Sequence, residues 1–152
     1  MSYLNAVRIL SQNQIGEILK KYRVIAVVGL SADEEKHSYN VAAYMKQHGY
    51  RIIPVNPFVE EVLGEKSYKS LLEVPPELQK TIEIVDIFRR PADVPPIVDQ
   101  AIQLKQANKK PYVVWMQLGI ANLEAAEKAR KAGLVVVMDN CIMVEHRKLN
   151  LA

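Results

Sequence analysis

Five consecutive apolar residues, Val24-Ile25-Ala26-Val27-Val28, run without interruption into Gly29. A strand with one face in water alternates apolar and polar residues. An unbroken run suits a strand buried on both faces, as in a parallel sheet covered by helices. A chain containing such a strand must supply those helices, so its remaining segments are read for helical periodicity.

Residues 11–22 predict a short helix, with Ser11 and Gln14 as a capping box and Ile15, Ile18 and Leu19 on one face. Ser38 is expected to cap a second helix whose apolar positions are Val41, Tyr44, Met45 and His48, closed by Gly49. Strands are expected at Arg51–Val55 and Ile82–Phe88, with a short helical turn over Tyr68–Val74 between them. Asp93 is expected to cap a helix carrying Pro95 and Pro96 in its first turn, where a missing N–H costs little. A strand at Tyr112–Met116, a helix from Asn122 to Gly133, a strand at Leu134–Met138 and a helix at Ile142–Leu149 complete the pattern. Strands alternating with helices define the α/β class. The expected architecture is a Rossmann-like doubly wound parallel sheet of about five strands in the order 3-2-1-4-5, with helices on both faces.

At 152 residues the chain is expected to form a single domain over 1–152, with no room for a separate catalytic domain. Its net charge of +3 comes without a dense basic run, which argues against nucleic acid and is compatible with a small anionic ligand. No stretch approaches the ~18 apolar residues of a membrane span. The single cysteine, Cys141, excludes an intrachain disulfide and a Cys-rich metal site. With no apolar leader at the N-terminus, the expected location is the cytoplasm.

In an open α/β sheet, ligands bind outside the carboxyl ends of the strands. After the first strand come Gly29-Leu30-Ser31 and a loop to Ser38. A glycine that admits a close approach, a hydroxyl, Lys36 and a helix N-terminus together suit phosphate, while a plain strand-to-helix loop remains the alternative. The second strand ends in Asn56-Pro57 instead of the acidic residue that a nicotinamide dinucleotide site uses for its ribose. Asparagine can still bond a ribose or phosphate, and Asn-Pro is also an ordinary turn pair. The third strand leads into Arg89-Arg90, whose guanidinium groups can hold phosphate bidentately or stack on a purine. Gln117 follows the fourth strand and can orient a neutral polar group.

The segments VIAVVGLS (24–31), HSYNVAAYMKQHGYRIIPVNP (37–57), EEVLGEKSY (60–68), VDIFRRPADVP (85–95), VVWMQLG (113–119) and AGLVVVMDNCIMVEH (132–146) resemble the small stand-alone CoA-binding proteins. Their Rossmann-like fold is similar to the CoA-binding domain of the succinyl-CoA synthetase α subunit. The resemblance spans roughly residues 15–150. It implies coenzyme A or acyl-CoA as ligand and no established reaction. Matched motif by motif, it implies Gly29 and Ser31 near the pyrophosphate, with Lys36 and Ser38 at the helix start. Val55, Asn56 and Pro57 would flank the nucleotide, and Phe88, Arg89 and Arg90 would lie by the adenine and 3′-phosphate. Leu30 stands where the family commonly has a small residue, and Lys36 near a position often held by arginine.

No residue is assigned a catalytic role. His37, His48 and His146 read as a loop residue, a helix-end residue and a residue of the last helix. Asp86, in an apolar run, is expected to accept hydrogen bonds from a neighbouring loop. Cys141 lies just past the fifth strand, where a helix N-terminus can lower a thiol pKa, so a mixed disulfide with CoA is an alternative to simple packing. A further alternative is a CoA-binding subunit of a ligase-type complex, which leaves a protein partner or a homo-oligomer open.

Overall fold

The computed structural model describes residues 9–150. The opening apolar run is β1 (Val24–Val28), an inner strand of a five-stranded parallel sheet. The other strands are β2 (Arg51–Val55), β5 (Ile84–Ile87), β6 (Val113–Met116) and β7 (Val135–Val137). Two short strands, β3 (Glu61–Val62) and β4 (Glu65–Lys66), pair as a separate antiparallel hairpin. The helices are α1 (Gln12–Lys21), α2 (His37–Gln47), the single turn α3 (Pro76–Gln79), α4 (Val94–Asn108), α5 (Leu123–Lys131) and α6 (Ile142–Asn150).

Alternate residues of each strand feed two cores. Ala26, Val28, Val85, Ile87, Val114 and Met116 face α4 and α5. Ile25, Val27, Ile84, Val113 and Trp115 face α1, α2 and α6. The expected α/β class, parallel sheet and two helical layers are therefore present.

The strand order differs from expectation. It is β2-β1-β5-β6-β7, which in the order of the long strands is 2-1-3-4-5, not 3-2-1-4-5. Pro54 supplies the physical reason. Arg51 N–H donates to Arg23 O and Gly29 N–H to Val55 O, so these β2 residues face β1, while the Pro54 carbonyl faces outward and accepts from Tyr68 N–H at 3.1 Å. The proline has no N–H to offer on that outer side, so a full strand cannot pair there, and β2 is an edge. The third long strand crosses to the free side of β1 instead, pairing Ile25 with Ile84 and Val28 with Ile87. The turn of topology, where ligands dock in such sheets, then falls between the ends of β1 and β5.

Two expected caps are not formed. Ser38 lies inside the first turn of α2, whose N-cap is Lys36 with no side-chain bond. Asp93 occupies the N-cap of α4 without capping it. Ser11 and Asn122 do cap their helices, accepting from Gln14 N–H and Ala125 N–H. Among the described residues no helix is long and apolar enough to cross a membrane.

Candidate functional site: the glycine crevice at the carboxyl edge

Gly29 sits at φ +89°, a conformation that side chains resist. A Cβ built on it would lie 2.3 Å from the Phe88 carbonyl oxygen. The backbone is fixed on both sides, since Gly29 N–H donates to Val55 O at 2.8 Å and Phe88 N–H to Val28 O at 2.8 Å. Only glycine allows the first loop to lie this close to the end of β5.

Beyond Gly29 the loop is held by short-range bonds. Ser31 N–H donates to Ser38 Oγ at 3.0 Å, so the serine expected to cap the helix instead anchors the loop. Ser31 Oγ accepts from Asp33 N–H, and Asp33 Oδ1 from Glu35 N–H. Leu30 is fully buried in the core against α2, packing beneath the loop rather than narrowing its approach. The N-terminus of α2, without a side-chain cap, leaves its first N–H groups and the positive end of its dipole beside Lys36.

Asn56 joins this loop to the next. Its Nδ2 donates to Leu30 O at 2.9 Å, and its Oδ1 accepts from Phe58 N–H at 3.0 Å. Beside the two loops lies a cavity of about 260 Å³ whose walls include Gly29, Val55, Pro57 and Arg89. Lys69, Ser70 and Gln100 also line it and were missed from the sequence. Gln100 accepts from Leu71 N–H at 3.2 Å and so fixes the Ser70 turn. The turn lies in the β2-to-β5 crossover and Gln100 on α4, so no strand-end rule points to them.

Arg89, on the cavity wall and partly exposed, pairs with Asp93 at 3.3 Å. The other expected residues are dispersed. Arg90, 82% exposed, pairs with the same carboxylate at 3.1 Å and lies outside the cavity walls. The Arg90 guanidinium, with Arg89 beside it, holds the Asp93 carboxyl below the usual carboxylate range. Phe88 turns to the α2 side, edge-on to His37. Cys141 is buried there, its Sγ 3.8 Å from His37 Nε2. His48 and His146 meet at the other end of the sheet, against Tyr44 and Tyr50.

Asp86 is fully buried on β5 and accepts from Gln117 Nε2 at 2.6 Å, as the sequence suggested. Burial pushes its pKa up to about 7, against the opposing pull of the Gln117 bond. Gln117 Oε1 is buried without a partner among the described residues. Among those residues no group of His, Cys, Asp and Glu could hold a metal ion.

A parallel sheet with a glycine crevice at its switch point defines a Rossmann-like ligand-binding domain. The comparisons narrow this class. The CoA binding domain profile matches residues 23–147, and the chain belongs to that family. It is similar to the uncharacterized protein YneT of Bacillus subtilis, 38% identical over 136 residues that make up 90% of this chain and 94% of YneT. It is also similar to the solved structure of a hypothetical protein from Pyrococcus horikoshii OT3, with 42% identity, a TM-score of 0.83 and 93% of each chain covered. The ADP-forming acetate–CoA ligase of Methanocaldococcus jannaschii is 25% identical over 132 residues, 84% of this chain but only 18% of the ligase.

Proposed function

We propose that this chain is one CoA-binding domain, residues 1–152, that holds coenzyme A or an acyl-CoA at the carboxyl edge of its sheet without autonomous catalysis. The observation that carries the reading is Gly29, whose close approach to Phe88 opens the crevice beside the uncapped start of α2. The pyrophosphate would cross this glycine, met by Ser31, Lys36 and the α2 N–H groups that Ser38 helps to position. Val55, Asn56 and Pro57 would flank the nucleotide, and Arg89, with Arg90 on the same Asp93 carboxylate, would supply charge for the 3′-phosphate. The mild net charge supports a small anionic ligand, and a cytoplasmic location is part of the same reading.

Calorimetric titration tests this directly. CoA is expected to bind, and dephospho-CoA to bind more weakly by roughly the 1.5–3 kcal/mol of one charge-assisted contact. No heat with either ligand overturns the reading.

The similarity to a fraction of an acetate–CoA ligase favours a version in which a partner chain supplies catalytic groups. The Cys141–His37 contact favours a covalent version. In it, His37 takes the Cys141 proton and the thiolate attacks a CoA disulfide. The S–S bond breaks, a Cys141–CoA disulfide forms, and the released CoA thiolate takes the proton back. Incubation with CoA disulfide is then expected to add one reductant-labile CoA to the intact mass, and an unchanged mass removes this version.

A further inference from the structure

Phe58 is 87% exposed, the most exposed large apolar side chain among the described residues. It follows β2 by three positions, and its backbone N–H is fixed by Asn56 Oδ1. Its ring therefore stands on a defined base and joins no core. It walls a second depression, under the β3–β4 hairpin, together with Val59, Glu61 and Lys66. Pro57 and Lys69 line both this depression and the cavity beside Gly29, so the two adjoin.

The cations around these hollows differ in how far they are committed. Arg89 and Arg90 share the Asp93 carboxylate. Lys66 lies 5.7 Å over the Tyr68 ring. Lys69 takes part in no salt bridge among the described residues. An uncommitted ammonium and a bare aromatic plate lining one depression match a nucleotide, which offers a phosphate to the first and a π-face to the second. An acyl tail would gain little here, because the ring and Pro57 are interleaved with Lys66, Glu60 and Glu61.

We propose that Phe58 and Lys69 form the adenosine subsite, with the phenyl ring stacked on the purine and the ammonium facing its phosphate. This rests on the CoA-binding reading and adds to it the place and the determinants of the adenosine end. Phe58, not the inward-turned Phe88, then sets the preference for the base.

The test titrates wild type, Phe58→Ala and Phe58→Trp with CoA, octanoyl-CoA, adenosine 3′,5′-bisphosphate and 4′-phosphopantetheine. Phe58→Ala is expected to weaken CoA and the bisphosphate roughly 5- to 160-fold, the range for loss of one base–aromatic stack, and to leave 4′-phosphopantetheine unchanged. Phe58→Trp is expected to keep affinity and to have its indole fluorescence quenched by the bisphosphate. Because residue 58 is exposed, both variants are expected to fold, which their circular dichroism checks. CoA binding that is indifferent to Phe58→Ala overturns the subsite and leaves the CoA reading standing. A loss confined to octanoyl-CoA assigns the ring to an acyl group and also overturns it. Bisphosphate binding that depends on Phe58 in a protein that ignores CoA keeps the subsite and removes the CoA reading. Binding of no ligand at all removes both.

Discussion

Gly29→Ala is expected to lose about 2–5 kcal/mol of stability and with it the CoA affinity. Two costs add at this position. An alanine at φ +89° carries strain of about 1–2 kcal/mol. Its Cβ would also meet the Phe88 carbonyl oxygen at 2.3 Å. The Phe88 N–H is tied to Val28 O, which holds the end of β5 against the end of β1. Relieving the overlap means separating the ends of β1 and β5, an overpacking cost of about 1–3 kcal/mol. Gly49 is the control. Its φ is +92° and an added Cβ meets nothing within 4 Å, so Gly49→Ala should cost only the strain. Urea denaturation of the two variants measures the difference. Equal losses would mean that the carbonyl contact is soft and the crevice wider than its geometry indicates.

The second large effect concerns Asp86. Its carboxyl stays protonated up to about pH 7 in the folded protein because burial penalises the anion, whereas the ordinary value is 3.8. A folded pKa above the unfolded one means that the folded state holds the proton more tightly. Its contribution is complete below about pH 4 and is lost as pH rises through about 7. At 1.36 kcal/mol per pH unit, the loss across that window is on the order of 4 kcal/mol. Asp86→Asn keeps an oxygen to accept from Gln117 Nε2 and cannot ionise. Denaturation at pH 4, 6 and 8 is expected to give a wild-type stability that falls relative to this variant, leaving the variant the more stable at pH 8. Parallel pH profiles for the two proteins would rule out a neutral buried carboxyl.

The five long strands are legible as short, mostly apolar runs, broken only by Arg51 and Asp86 among charged residues, and the class follows from their alternation with helices. Strand order does not follow from that alternation, although Pro54 carries the information. A proline inside an apolar run marks an edge, whereas crossover statistics alone favoured placing β2 inside the sheet. The β3–β4 hairpin was invisible, since two-residue strands have no period and its turn places Leu63, not asparagine, at φ +55°. Within the site, strand-end reasoning reaches Gly29, Pro57 and Arg89 and the family resemblance adds Val55, and the cavity brings the four together. It could not reach Lys69 or Gln100, which arrive from a crossover turn and a helix face. Ser38 was found in the right place with the wrong task. A serine near a helix start reads as a cap, yet its hydroxyl is taken by Ser31 N–H.

The outward-facing Pro54 bears on how this protein behaves in a crowded solution. An open sheet border is a template on which a second chain can lay a strand and begin an aggregate. On the β2 border the proline removes one donor, and Tyr68 occupies the acceptor beside it. Strand-by-strand growth from that side is blocked before any partner arrives. Replacing Pro54 would restore a donor to the border and so trade a folding constraint for a risk of self-association.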